Sequence, residues 1–221
     1  MPFERVVGSV YVVGGDAFTY AGDCLTYLVA GPPLVLIDAG ANLEVDRLCD
    51  NILETGHQPE DIACLLLTHG HVDHIGGAAA MREKTGCRIA AHLDDADAIT
   101  TGDERRTAAN WYGIQLPHLP IDVTLRGDSG EISGVKWLHI PGHTPGSIAA
   151  YMDTSAGRVL FGQDVHGPFN AMFQSDIKSW RVSMEKLLAL QPDILCEGHF
   201  GVFRGREQAT RFIRGQLAAH A

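Results

Sequence analysis

Three histidines and one aspartate lie close together in the run His69-Gly70-His71-Val72-Asp73-His74. Imidazole and carboxylate groups are the side chains that bind zinc and similar metal ions. Residues 63–68 predict a buried strand before this run, and residues 75–84 predict a helix after it that opens on two glycines. Because side chains alternate along an extended chain, His69 and His71 point to the same side. Asp73 and His74 follow the turn and can face a second position, so one run can supply ligands to two metal ions.

Three further predicted strand ends carry a histidine or an aspartate beside a glycine. They are His143 after the strand ending at Ile140, Asp164 after the strand ending at Phe161, and His199 after the strand ending near Cys196. Glycine permits the tight backbone turns that direct such side chains inward. Since α/β sheets place ligand sites at the carboxyl ends of their strands, we expect four strand ends to share one site.

The composition is that of an ordinary globular chain. Its 221 residues, 45% hydrophobic and 20% charged, predict one domain over residues 1–221 with a sizeable core. A net charge of −10, from 27 acidic and 17 basic residues, argues against a nucleic-acid surface. No apolar run approaches the roughly 20 residues of a membrane-spanning helix, and the N-terminus lacks a signal-peptide pattern. Five widely spaced cysteines without a CxxC pair predict reduced thiols. We expect a cytoplasmic protein that binds neither nucleic acid nor a membrane.

Hydrophobic periodicity predicts two β-rich parts, each followed by helices. The first part has predicted strands at 6–13, 24–30, 34–38, 64–67 and 88–91, and helices at 43–55, 75–84 and 94–100. The second has predicted strands at 123–125, 135–140, 148–152, 158–161 and 193–197, and helices at 179–190 and 206–217. Two such halves predict an α/β fold in which two sheets pack face to face with helices outside, a four-layer αββα sandwich.

The loops between these elements are the expected determinants of substrate specificity. They span residues 14–23, 101–121 and 166–178 and carry seven large side chains that can wall a pocket: Phe18, Tyr20, Trp111, Tyr112, Phe169, Met172 and Phe173. Core packing is the more frequent role of each such side chain. Aromatic residues on these loops can also form the contact of a homodimer.

The run Thr68–Gly77 resembles the HxHxDH signature of the metallo-β-lactamase superfamily. His143, Asp164 and His199 follow in the order of that superfamily, and Leu36–Gly40 resembles its early strand-end aspartate motif, with Asp38 as the aspartate. The resemblance extends from about residue 6 to residue 200. It implies the four-layer αββα fold of the superfamily.

The resemblance also implies a dinuclear metal centre. The first metal would be bound by His69, His71 and His143, the second by Asp73, His74 and His199, and Asp164 would bridge the two. The expected cofactor is two Zn²⁺ ions per chain, with iron or manganese as alternatives, because the same ligands suit these metals. A hydroxide held between two such ions can attack an ester-like carbonyl.

Three residues have further expected roles in catalysis, ligand orientation and substrate contact. Asp73, besides being a ligand, would act in catalysis by orienting the hydroxide or taking up its proton. Asp38 would orient a metal ligand by hydrogen bonding. His166, two residues after Asp164, can reach the substrate.

Differences among superfamily members narrow the expected small-molecule substrate. The Thr-His-x-His-x-Asp-His and Pro-Gly-His-Thr runs resemble glyoxalase II, a thioesterase of glutathione esters. That enzyme continues into a helical region that binds glutathione, whereas only residues 200–221 follow His199 here. Acyl-homoserine lactonases have a tyrosine shortly after the bridging aspartate, where this chain has Val165–Pro168. Zinc β-lactamases often place a cysteine on the second metal, and Asp164 takes the matching position.

We therefore predict a metal-dependent hydrolase of a thioester or a lactone. A mononuclear-iron persulfide dioxygenase is the main alternative, since those enzymes share much of the motif. Zinc β-lactamase activity is a further alternative, and a non-catalytic module stabilised by metal is another class. A site rich in ligands and glycine-lined turns favours an open catalytic centre over a closed structural one.

Overall fold

The computed structural model describes residues 1–220, and within them the strands form two mixed sheets. The first sheet contains, in spatial order, β1 (Glu4–Val7), β2 (Val10–Gly14), β3 (Thr26–Val29), β4 (Leu34–Ile37), β5 (Ile62–Leu66), β6 (Arg88–His92) and β7 (Val123–Leu125). The second contains β8 (Ser129–Ile132), β9 (Val135–His139), β10 (Ile148–Thr154), β11 (Gly157–Gln163), β12 (Ile194–Glu197) and β13 (Val202–Arg204), in the spatial order β13-β12-β11-β10-β9-β8.

The helices connect these strands and cover the outer faces of the sheets. They are α1 (Asp46–Glu54), α2 (Val72–Ile75), α3 (Ala78–Thr85), α4 (Leu93–Thr101), α5 (Ala109–Tyr112), α6 (Ile177–Ala189) and α7 (Arg206–Ala219). Across residues 1–220, none of them is long and apolar enough to span a bilayer.

Three apolar clusters hold the layers together. Alternate residues of both sheets, such as Tyr27, Ile37 and Phe161, fill the space between the sheets. The other face of the first sheet packs against α1 and α3, and the other face of the second sheet packs against α6 and α7. Because side chains alternate along a strand, each sheet buries one set of residues centrally and one set under helices. This is the αββα sandwich predicted from the sequence.

The topology brings the chemically active strand ends to one edge. β4 and β5 are parallel in the first sheet, as are β11 and β12 in the second. β9 and β11 each pair antiparallel with β10 between them, so they run in the same direction. The carboxyl ends of these five strands therefore open at a common edge, where Asp38, His69, His143, Asp164 and His199 follow them.

The structure corrects the predicted elements in three places. Residues 6–13 form a hairpin and not one strand, because Gly8 turns the chain with a φ of +52°. The prediction lacks the edge strands β8 and β13, because β8 is short and polar and β13 has only three residues, too few to show an apolar alternation. The helix predicted at 75–84 is divided into α2 and α3. Gly76 and Gly77 lie between them, where an added Cβ would meet the carbonyl oxygens of Ala41 and Ala39 at 2.2 and 2.4 Å.

Candidate metal centre

Three histidine rings from two sheets converge in the first cluster. His69 and His71 follow β5, and His143 follows β9. The His143 Nε2 atom lies 2.9 Å from Nδ1 of His71 and 3.2 Å from Nε2 of His69. All three residues are buried. Their contacting nitrogens, together with a carboxylate oxygen of Asp164, form a group able to hold a metal ion.

A second cluster lies on the other side of Asp164. Asp73 and His74 project from α2, and His199 follows β12. The Asp164 Oδ1 atom lies 3.1 Å from Nε2 of His74 and 3.3 Å from Nε2 of His199. Asp73 Oδ2 lies 3.2 Å from the same nitrogen of His199. These four residues form a second group able to hold a metal ion, and His199 is its one exposed member.

The Asp164 carboxylate is divided between the clusters. Its Oδ2 atom faces His143 at 3.6 Å and His69 at 3.9 Å, whereas its Oδ1 atom faces the second cluster. One carboxylate that presents a separate oxygen to each group has the geometry of a bridging ligand. All seven residues singled out in the sequence as metal ligands thus meet at one place.

The two clusters differ in protonation. Burial, reinforced by neighbouring imidazoles, lowers the pKa of His71 and of His143 to about 3 and moves that of His69 well below its ordinary value. Burial also disfavours the charged form of His199, but its contacts with Asp164 and Asp73 raise its pKa to about 10. The first cluster therefore presents neutral imidazoles, the form that binds metals, while His199 in the second carries a proton.

Hydrogen bonds on the far side of the rings fix which nitrogen is free. His143 Nδ1 donates to the carbonyl of Pro168 at 2.8 Å, and His74 Nδ1 donates to Asp38 at 2.8 Å. His69 Nδ1 lies 3.2 Å from the Thr68 hydroxyl, which itself donates to Asp38. A ring that donates from Nδ1 directs its other nitrogen toward the cluster, as metal-binding histidines do.

The spacing and the unpaired atoms both fit a bound cation. Zinc–nitrogen bonds of about 2.0–2.1 Å in a tetrahedron separate the nitrogens by about 3.3 Å, close to the spacings around His143. In the second cluster, His74 Nε2 and Asp164 Oδ1 are buried and have no hydrogen-bond partner within residues 1–220. Buried polar atoms left without a partner are costly, and a cation between them would satisfy both.

Asp38 lies at the end of β4, fully buried, in a left-handed backbone conformation with φ of +61°. Besides His74, its carboxylate accepts hydrogen bonds from the Thr68 backbone N–H and hydroxyl, at 2.8 and 2.7 Å, and from the Gln163 amide. It does not face the open side of the centre. The expectation that Asp38 orients a ligand histidine agrees with this position.

His166 borders the centre and has a buried partner. Its Nδ1 atom lies 2.6 Å from Oε1 of Glu197, a fully buried carboxylate at the end of β12. The other oxygen of Glu197 accepts from the backbone N–H groups of His199 and Phe200, at 2.7 and 2.8 Å. Glu197 thus holds both His166 and the loop that carries His199.

A cavity of about 180 Å³ opens over the two clusters. Its apolar walls are Ala108, Trp111, Tyr112, Pro168 and Phe173, and its polar lining is His71, Asp73, Asp164, His166 and His199. Within residues 1–220, no lysine or arginine lines it.

The predicted wall residues divide into two groups. Phe173 packs against His71 with ring centroids 4.3 Å apart, and Trp111 covers Phe173 at 4.9 Å. Tyr112 also lines the cavity, but the other four predicted wall residues do not. Phe18 packs against the core between the sheets, Tyr20 lies under Arg47, Phe169 packs on Trp180, and Met172 is outside the lining.

Another group of possible ligands lies outside the centre, at His92, Asp94 and His139. The two rings are stacked, with centroids 3.9 Å apart and planes 16° from parallel. Their Nε2 atoms donate to backbone carbonyls, His92 to Gly127 and His139 to Pro145. In-plane lone pairs of parallel rings do not converge on one point, so packing and loop bracing explain this pair.

Sequence reasoning missed two buried acids that organise the centre. Glu197 was read as part of a strand end and not as a partner of His166. Asp95, in the first turn of α4, contacts the loops of two ligand histidines. Neither has a local sequence signal, because an acid in a strand or a helix is common and its partners are distant in sequence.

Comparisons with known proteins agree with this geometry. Residues 19–199 match the metallo-beta-lactamase superfamily. The probable metallo-hydrolase YflN of Bacillus subtilis is 26% identical over 75% of this chain and 74% of its own length. A hydroxyacylglutathione hydrolase of Cereibacter sphaeroides is 34% identical over 61% of this chain. An N-acyl homoserine lactonase of Bacillus thuringiensis is 30% identical over 55%.

The share of the matched protein that this chain covers differs between the sequence relatives and the solved structure. The alignments span 47% of the hydroxyacylglutathione hydrolase and 45% of the lactonase, about half of each. A metallo-beta-lactamase structure from Cronobacter sakazakii superposes over 99% of this chain and 96% of its own, with a TM-score of 0.81 and 20% identity. The structural likeness supports the fold.

The chain belongs to the metallo-beta-lactamase superfamily. The match covers most of its length and includes the whole candidate centre, and its relatives include enzymes with hydrolase names. It is a metallo-hydrolase of that superfamily, with histidine and aspartate clusters able to bind metal.

Proposed function

We propose that the protein is a dinuclear zinc hydrolase of a small thioester or lactone. The observation that carries the proposal is the division of Asp164 between two groups, each with a histidine, His143 or His74, whose free ring nitrogen is fixed by a partner on the far side. His69, His71 and His143 would hold one ion, Asp73, His74 and His199 the other, with Asp164 shared. When bound, such ions polarise a carbonyl and generate a nucleophile from water near neutral pH.

The remaining polar residues of the cavity supply proton transfer and positioning. Asp73 lines the cavity, so its carboxylate can accept the proton that a water molecule releases on attack. His166 donates from Nδ1 to Glu197, which leaves Nε2 as an acceptor for an N–H or O–H group of the substrate.

The cavity walls support an ester without negative charges near the scissile bond. Glutathione esters carry two carboxylates, and bound carboxylates are ordinarily met by arginine or lysine. This lining offers aromatic faces instead, in Trp111, Tyr112 and Phe173. An uncharged thioester or lactone fits these walls better than a glutathione ester.

Metal analysis comes first in testing the proposal. Protein purified without added metal should contain two zinc ions per chain or take them up on addition. His71→Ala should reduce turnover by orders of magnitude with folding intact, whereas the exposed His118→Ala control should behave as the parent. Asp164→Ala should lower the occupancy of both sites. Full activity of His71→Ala at normal metal content would contradict the assignment.

The substrate is then ranked with thioesters, lactones, β-lactams and phosphodiesters at equal metal loading. We expect the first two classes to be hydrolysed with the highest kcat/KM. A single iron per chain, with oxygen consumption on a persulfide, would instead establish the dioxygenase alternative.

A further inference from the structure

One buried carboxylate contacts both loops of the first cluster without being part of it. Asp95 is 4% exposed and lies in the first turn of α4. Its Oδ2 atom accepts from the Gly70 backbone N–H at 2.9 Å and from the Thr144 hydroxyl at 2.6 Å. Its Oδ1 atom accepts from the Gly146 backbone N–H at 2.7 Å. All these donors are neutral, and no ion pair of Asp95 occurs within residues 1–220.

The donors belong to loops from different sheets. Gly70 lies between His69 and His71 after the first sheet's β5, while Thr144 directly follows His143 after the second sheet's β9. No strand ladder joins the two sheets, so the separation of these histidines depends on individual contacts. Two backbone bonds already cross the gap, from Ile148 to the Thr68 carbonyl at 2.8 Å and from Leu25 to the Gly198 carbonyl at 2.7 Å. Asp95 adds three hydrogen bonds that end beside the ligand residues.

The close approach of Asp95 explains the glycine of one loop but not that of the other. A Cβ on Gly146 would lie 2.5 Å from the Asp95 backbone nitrogen, closer than packing permits. A Cβ on Gly70 would lie 3.5 Å from Asp95 Oδ2, in ordinary contact. The second glycine of Pro-Gly-His-Thr-Pro-Gly is therefore required by helix α4 and not by the metal centre.

We propose that Asp95 is a positioning residue that fixes the distance between His143 and the His69–His71 pair, and so preorganises the first cluster for its metal ion. The proposal rests on the proposed function, in which that cluster binds an ion. Burying a carboxylate without a cationic partner is costly, and here it is offset by hydrogen bonds to two ligand-bearing loops. Asp38 contacts His74 of the second cluster directly and holds that ring in a comparable way.

The test measures metal affinity, not activity alone. Asp95→Asn keeps the volume but replaces one acceptor oxygen with an amide that must oppose a donor. In a titration with a competing chelator, we expect one of the two ions to bind about 10-fold more weakly than in the parent. This is the low end of the loss in metal affinity seen when a residue that orients a ligand is replaced. The other ion should be retained as in the parent. The neighbouring Asp94→Asn is the matched control, because within residues 1–220 its carboxylate pairs with His92 and His139 and with no metal-ligand residue.

A double-mutant cycle identifies which ion is affected. If Asp95 acts through the first cluster, Asp95→Asn should add little to the loss caused by His71→Ala, whereas its effect should add to that of Asp38→Asn. Thr144→Val and Thr144→Ser provide a second test if Asp95→Asn folds poorly. Removing the hydroxyl should weaken the same ion, and keeping it in serine should restore the affinity.

The possible failures are distinguishable. If the folded parent binds no metal, the proposed function is wrong, and the positioning role of Asp95 is wrong as well. If the parent binds two ions and Asp95→Asn and Thr144→Val bind both as tightly, the positioning role alone is wrong. Equal weakening of both ions would also overturn it, because that result describes general destabilisation.

Discussion

Replacing Asp38 tests how strongly the second cluster depends on the buried polar network behind it. Asp38 is fully buried, and its two oxygens accept from four donors: the Thr68 N–H and hydroxyl, His74 Nδ1 and the Gln163 amide. In Asp38→Ala these donors lose their acceptor. The Thr68 hydroxyl can rotate, so three donors remain stranded.

The magnitude follows from the cost of unpaired buried donors. At about 1–3 kcal/mol each, three donors give about 3–9 kcal/mol, and water that enters the space left by the carboxylate recovers part of it. We expect Asp38→Ala to lower the free energy of unfolding by about 3–5 kcal/mol. Asp38→Asn keeps the shape of the side chain, and asparagine tolerates the left-handed backbone. Its amide nitrogen faces a donor that the carboxylate had accepted from, so we expect the free energy of unfolding to fall by about 1–3 kcal/mol.

The assay combines stability with metal affinity. Urea unfolding of the metal-free proteins measures the free energy of unfolding, and chelator competition measures the metal affinity. We expect the affinity for one ion to fall about 10–100-fold, because His74 loses its orientation. The control is Asp50→Ala on α1, an exposed acid for which residues 1–220 provide no side-chain hydrogen bond or ion pair. An Asp38→Ala protein as stable as the parent, with unchanged affinity for both ions, would refute the reasoning.

Three further predictions concern the cavity wall at Trp111, the release of protons on metal binding, and the loop glycine Gly146. Trp111→Ala should raise KM about 10-fold with little change in kcat, because we expect the ring to contact the part of the substrate remote from the bond that breaks. Steady-state kinetics on the best substrate measures both constants, and an unchanged KM would contradict the prediction. Zinc binding at pH 7 should release protons from the second cluster, because the pKa of His199 is raised to about 10 and that of His74 lies well above its ordinary value. Calorimetry in two buffers of different ionisation enthalpy detects the release, and identical heats would exclude it. Gly146→Ala should lower Tm by several degrees, because its Cβ would clash with Asp95, whereas Gly215→Ala, which meets open space on α7, should not.

Much of the site could be predicted because its ligands follow strands that are strongly apolar. Residues 64–67 form a buried run, and a histidine after such a run falls at a sheet edge. The order of the seven ligand residues along the chain, with their glycines, then matched a known superfamily. Asp38 was also predictable, since it directly follows β4.

The supporting acids could not be found by the same reasoning. Asp95 lies between Asp94 and Asp97 on a helix with other exposed acids, and the local sequence gives no reason to bury it. Its partners are Gly70, Thr144 and Gly146, which are close only after both sheets have formed. The pocket walls show the same limit. Phe169 and Phe173 are four residues apart, yet one packs on Trp180 and the other on His71.

A site built across two sheets links metal binding to the stability of the sandwich. His69 and His71 follow a strand of the first sheet, and His143 and Asp164 follow strands of the second, so an ion bound by them would cross-link two layers that share no strand ladder within residues 1–220. Hydrogen bonds also cross the gap near the site, such as that from the Tyr27 hydroxyl to the Glu197 carbonyl at 2.8 Å. An ion that binds only the folded state stabilises it by about 4 kcal/mol at 1,000 times its Kd. That is comparable to a large part of the stability of an ordinary domain. The buried aspartates Asp38 and Asp95 each accept hydrogen bonds from groups of both sheets. We expect these bonds to bring the ligand residues together before an ion binds, so that metal binding would not have to supply that part of the free energy.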